Sequence, residues 1–142
     1  MMLDQTSELK ISRAIAPPAA APTGTTAIVS TIVDTAGFGS LTFALSLGSI
    51  ADADATFTVL VEDGDDSALG DNVAVDDAYL IGVEATPFLF SDDNKVWKIG
   101  YIGPKRYVRV TVTPAANSGD FAHSAVWIQG HPRKGPQSTQ LV

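Results

Sequence analysis

Apolar residues recur along this chain with a period of two. Residues 41–47 read Leu-Thr-Phe-Ala-Leu-Ser-Leu, and Phe57, Val59 and Val61 alternate with Thr56, Thr58, Leu60 and Glu62. Over 96–102, Trp97, Ile99 and Tyr101 fall on one side and Val96 and Lys98 on the other. Over 106–113, Val108, Val110 and Val112 oppose Tyr107, Arg109, Thr111 and Thr113. Over 121–130, Ala122, Ser124, Val126 and Ile128 oppose Phe121, His123, Ala125, Trp127 and Gln129. Segment 27–33 is rich in β-branched residues, while 79–82 and 88–90 are shorter candidates. Alternation with β-branched enrichment is the pattern of a half-buried strand. Turn signals separate the runs: Gly37 and Gly39, Asp63-Gly64, Gly103-Pro104 and Asn117-Ser118-Gly119. Only 74–78 or 49–55 has room for a helical turn.

Eight short strands, each with one apolar face and no helix to cover it, must bury that face against a second sheet. The predicted fold is therefore all-β, a two-sheet antiparallel sandwich of jelly-roll type. An immunoglobulin-like sandwich is the runner-up, without its usual cysteine pair. The chain's 142 residues suit one domain, expected over 25–130. Before it, 16–24 carries Pro17, Pro18 and Pro22, which favour polyproline II, so 1–24 reads as an extended arm. Fully extended, it would reach about 80 Å. Residues 131–142, polar and broken by Pro and Gly, read as a C-terminal tail.

Charge narrows the partners. Sixteen acids against nine bases give a net charge of −7, which disfavours direct nucleic-acid binding. With no cysteine there is no disulfide framework and no thiolate metal site. No apolar run approaches the length of a membrane span, so no membrane partner is expected. The charges are sorted by position: between Ala14 and Asn94 stand thirteen acids and no base, and from Lys95 onward seven bases and only Asp120. If the sorting survives folding, it makes a dipolar surface; otherwise the acids form a solvated rim.

Few residues of the chain stand in patterns that carry catalytic chemistry. His123 and Ser124 are strand neighbours pointing to opposite faces, and His131 precedes Pro132 in the tail. Gly37-Phe38-Gly39 lacks the third glycine and the helix of a phosphate loop. The loop 62–71 is rich enough in Asp to raise calcium, yet its spacing is not that of an EF-hand, and solvated turn carboxylates are the plainer reading. The expectation is a protein that is not an enzyme and uses no cofactor and no metal. The basic cluster Lys105, Arg106, Tyr107 and Arg109 is a candidate contact with an acidic protein surface, although the plainest reading is an outward sheet face whose charges keep an edge soluble. Trp97, Tyr101 and Trp127 would be the platform of a carbohydrate-binding module if they were exposed, but core packing suits them better.

Residues 41–50, 57–64 and 98–110, taken as whole phrases, resemble small structural proteins of tailed bacteriophages. Within that group the resemblance is to the jelly-roll capsid cement, or decoration, proteins of short-tailed phages, and it covers roughly residues 25 to 132. It implies a protein on the outer surface of the virion, made in the bacterial cytoplasm, that binds the major capsid protein across its junctions. It also implies self-association as a homodimer or homotrimer through sheet edges. On that reading Met1, Met2, Leu3, Leu9, Ile11 and Ile15 of the arm would contact the capsid or another copy, together with the basic cluster. A tail or baseplate component, or a receptor- or carbohydrate-binding module, is the alternative.

Overall fold

The longest alternating runs become the longest strands. In the computed structural model, which describes residues 1–85 and 87–138, β1 spans Leu9–Ile15, β2 Ile28–Val29, β3 Val33–Asp34, β4 Phe38–Ile50 and β5 Thr56–Gly64. They are followed by β6 (Val73–Ala74), β7 (Leu80–Ile81), β8 (Val96–Tyr101), β9 (Tyr107–Ala115) and β10 (Phe121–Pro132). Among the described residues the helical content is three single 3-10 turns, at Thr6–Glu8, Asp77–Tyr79 and Phe90–Asp92.

Every ladder is antiparallel. One sheet, here sheet A, has the order β1-β10-β4-β8-β7, and sheet B the order β2-β9-β5-β6, with β3 also pairing β9. Taken as one interrupted edge strand, β2 and β3 make the chain pass back and forth between the sheets. The first strand then lies beside the last. That is the jelly-roll path, and the sandwich expected from the alternation is the fold found.

The inward sets are those of the alternation. Leu41, Phe43, Leu45 and Leu47 of sheet A meet Phe57, Val59, Val61, Val108, Val110 and Val112 of sheet B. Aromatic rings fill the centre: Phe43 meets Trp127 edge-on at 5.1 Å, and Phe57 lies 4.5 Å from Phe121 and 4.8 Å from Phe88. Two buried polar side chains are paired across the layers, while the buried Asn117 Oδ1 has no hydrogen-bond partner among the described residues. Trp127 Nε1 donates to Thr31 O at 3.2 Å, and Gln129 Nε2 to Asp34 O at 2.8 Å. The Tyr101 hydroxyl donates to Asp63 at 2.7 Å and accepts from Lys105 N–H at 3.0 Å, tying sheet A to sheet B at one end.

The boundaries expected from the sequence need revision. Residues 1–24 are not an arm throughout: Leu9–Ile15 is a strand of sheet A, paired with β10 from Leu9↔Gly130 to Ile15↔Ala125. Its apolar side chains Leu9 and Ile11 face outward, and a bulge between Arg13 and Ile15 reverses the alternation, so no clean one-faced pattern marks it. The proline-rich segment is held along the sandwich, with Pro22 O accepting from Phe121 N and Gly24 O from the Asn117 amide. Residues 88–90 are not a strand. Phe88 drops into the core, and Leu89 makes one bridge to Thr56. Val73–Ala74 forms a short strand where a helical turn was expected to start, and the helical turn falls at Asp77–Tyr79. The tail is tied at Arg133 N–H to Gly37 O and Gln137 N–H to Ser7 O; its last four residues, 139–142, lie outside the described residues.

Candidate functional site

The basic cluster is internally neutralised. Lys105 pairs with Asp65, Arg106 forms a two-pronged pair with Asp34 at 2.9 and 2.8 Å, and Arg109 grips Glu62 through Nε and Nη2. The Arg106 guanidinium also lies 5.1 Å from the Tyr107 ring centre. The cause is topology: β9 lies between β5 and the β2–β3 edge, which sets the bases beside acids 40 to 72 positions away in sequence. Arg106 holds the Asp34 carboxyl below the usual range, and Asp65 raises the Lys105 ammonium above its own. At these pairs the charge sorting of the sequence does not survive folding.

The other expected contact residues separate. Met2 and Leu3 are 96% and 90% exposed, ahead of the first turn. Leu9 and Ile11 lie on the outer face of sheet A, with Ile11 49% exposed. Ile15 was expected to contact the capsid, but it is 6% exposed and belongs to the core because the β1 bulge turns it inward. Tyr107 and Arg109 are on β9 of sheet B, Arg106 stands just before it, and Lys105 lies in the turn that leads from β8 to β9. The structure thus divides these residues between opposite sides of the sandwich.

A different surface emerges from the registers. None of the five strands of sheet A contains an Asp or Glu, although the chain holds sixteen acids. On the sheet's outer face, cross-strand neighbours form rows. One row runs Ile11, Ile128, Thr42, Gly100, Ile81, and the next runs Arg13, Val126, Ala44, Lys98. Beyond them lie Ser124, Ser46 and Val96 on one side, and Leu9, Gly130 and Ser40 on the other. Small residues keep the middle low: a Cβ at Gly130 would come within 2.7 Å of Ser40 Oγ. Shallow open hollows of about 590 and 420 Å³ flank the Ser40–Thr42 stretch of β4, with Glu8 the carboxylate at their border. Among the described residues, neither Arg13 nor Lys98 has an ion-pair partner. Sequence reasoning missed this face. Its signal was present as acid-free runs over 9–15, 35–51, 94–103 and 121–138.

The acidic loops are occupied with their own backbone. Asp71 accepts from the N–H groups of Asp65 and Asp66, and Asp66 from those of Ala68 and Gly70. These bonds hold the Asp71 carboxyl below its ordinary range. Asp52 accepts from Ser118 N–H and Oγ–H at 2.7 Å each, joining the β4–β5 and β9–β10 turns. Glu84 accepts from Val61 N–H while its own carbonyl accepts from Val59 N–H, capping the free edge of β5; burial raises its carboxyl. His123 is buried, stacked 4.6 Å from Phe121, with its imidazole pushed down by desolvation. Among the described residues, no group of three or more His, Asp or Glu side chains is placed to hold a metal ion. Trp127 and Tyr101 are buried and Trp97 packs on the core, so these three aromatics form no exposed platform.

No family model and no curated protein matches the chain. Among solved structures it is similar to the cyanophage Pam1 capsid asymmetric unit, at 13% identity and a TM-score of 0.48, over 93% of this chain and 91% of that one. It is also similar to the cowpea mosaic virus top component, at 12% identity and a TM-score of 0.43, over 100% and 92%. A third likeness is to Xyl-CBM35 in complex with a glucuronic acid-containing disaccharide, at 11% identity and a TM-score of 0.40, over 96% and 97%. At this level the likeness says nothing of function.

Proposed function

We propose that the protein is a structural component of a virion, a capsid cement or decoration protein bound to the outside of an icosahedral head. It would bridge the junctions of the major capsid protein and act by burying area, with no catalytic step, no cofactor, no direct contact with nucleic acid and no membrane. The carrying observation is the outer face of sheet A, a broad and shallow face of small and apolar side chains to which no strand brings a carboxylate. Such a face suits a wide protein contact better than a small-molecule cleft. The resemblance of residues 41–50, 57–64 and 98–110 to phage cement proteins points the same way. The carbohydrate-binding alternative loses its platform, because Trp97, Tyr101 and Trp127 turn inward. Self-association through sheet edges belongs to the proposal, and β8 offers an edge, since β7 covers it only at Gly100 and Tyr101.

The test is quantitative mass spectrometry of purified particles, comparing copies of this protein with copies of the major capsid protein. A ratio of order one is expected. A handful of copies would move the protein to the tail or a vertex, and absence from the particle would end the structural reading.

A further inference from the structure

The cement reading does not say which side of the sandwich meets the shell. The basic cluster was the natural candidate, yet its three cations already hold Asp65, Asp34 and Glu62. Breaking those pairs to meet a partner exchanges one carboxylate for another and gains little. Among the described residues, the cations without an ion pair on the outer face of sheet A are Arg13 and Lys98; Lys10 of β1 points to the other side, with its ammonium 5.8 Å from the Phe38 ring centre. Arg13 and Lys98 end one cross-strand row, with Val126 and Ala44 between them, and the strand spacing puts their backbones about 14 Å apart. Beside this row lies the apolar row of Ile11 and Ile128.

We infer that the outer face of sheet A, centred on the Arg13–Val126–Ala44–Lys98 row, is the surface that docks on the shell, and that it meets an acidic patch of the coat protein with an apolar centre. This rests on the cement reading and deepens it. Charge complementarity commits the face to such an occupant. Two unpaired cations flank an apolar area to which no strand brings a carboxylate, with Glu8 at its border, on a chain of net charge −7, so an acidic surface is attracted here while the acid-rich loops repel it. Association that buries Val126 and Ile11 removes exposed apolar area as it neutralises both cations. A basic coat surface would instead favour the acidic loops 52–54 and 76–77, at other places on the molecule.

The experiment measures binding of the full chain to heads of the parent virus assembled without it, at two salt concentrations. Ala44→Glu places a carboxylate in the centre of the row, and the double variant Arg13→Glu, Lys98→Glu reverses both of its ends. Thr58→Glu makes the matching change on the outer face of sheet B. The first two variants are expected to weaken binding by about tenfold or more, while Thr58→Glu binds as wild type does. Wild-type binding is expected to weaken as salt rises. Should Ala44→Glu fail to fold, the double variant decides, because both of its side chains are exposed. Undiminished binding by the sheet A variants, or loss with Thr58→Glu alone, overturns the face assigned here and leaves the cement reading standing. Failure of wild type to bind overturns both.

Discussion

The two sheets of this sandwich share an interior and differ on the outside. Sheet B turns outward Thr56, Thr58, Thr111 and Thr113 around exposed Leu60 and Val29, and next to them the Arg109–Glu62 pair, with Arg106 on Asp34 at the edge. Its cations are matched within the chain, and its hydroxyls are the ordinary dress of a solvated sheet. Sheet A turns outward glycine, serine, alanine and isoleucine, with two unmatched cations and no carboxylate from any strand. Charge on a strand surface has to be read after pairing. Sheet B carries the conspicuous basic cluster but has little charge left to offer, whereas sheet A has few charges and keeps them free.

The two sides of a single strand already differ, inside against outside. On β10, Trp127 faces the core and its neighbour Ile128 faces out. Trp127→Ala is expected to lose about 3–5 kcal/mol of stability. Ile128→Ala should lose well under half of that, by urea unfolding of both. Equal losses would mean that the outer face of sheet A is a second core and not a free surface.

Next comes the polar tie between the layers. Tyr101→Phe leaves a buried Asp63 carboxylate and the Lys105 N–H without the hydroxyl, and is expected to lose about 1–3 kcal/mol. A neutral result in the same unfolding assay would show that solvent replaces the hydroxyl there.

Smaller, and more diagnostic of the two faces, are the cations. Arg109→Ala removes a pair whose side chains are only 25% and 13% exposed, and is expected to lose about 1 kcal/mol. Arg13→Ala and Lys98→Ala should leave the unfolding midpoint unchanged, because neither cation has an ion-pair partner among the described residues. A stability loss from either would show that the sheet A cations are structural.

The smallest effect is on pH dependence. His123 is buried in the folded protein and its imidazole is pushed below its ordinary value, so the unfolded chain binds the proton more readily. Its contribution to stability is complete above about pH 6.5 and is lost as pH falls from there through the lowered folded value. His123→Phe is expected to flatten the stability profile below about pH 6.5, read from melting temperatures across a pH series. An unchanged slope would show that the ring remains solvated.

Most of the architecture could be read in advance because alternation reports which side of a strand is buried. Phe43 with Leu45, Val108 with Val110, and Trp127 with Gln129 all took the inward side. The long strand that escaped was Leu9–Ile15, whose apolar residues serve the outer face first and the core only after a bulge; the prolines just beyond it suggested an arm. The candidate face was legible only in part. Acid-free segments stand in the sequence, but four separate strands had to be brought into register before Arg13, Val126, Ala44 and Lys98 became a row. Conversely, the segment 105–109 looked free because its partners Asp34, Glu62 and Asp65 are far away in sequence and arrive through strand pairing.

The most direct test of the difference between the faces is lysine-specific acetylation of the protein on intact particles, with each site quantified against the free protein. Lys98 lies on the outer face of sheet A, while Lys105 lies in the turn from β8 to β9, paired with Asp65 just past β5 of sheet B. The account predicts that Lys98 becomes protected on the particle and that Lys105 keeps the reactivity it has in solution. Protection of Lys105 with Lys98 still fully reactive would contradict it.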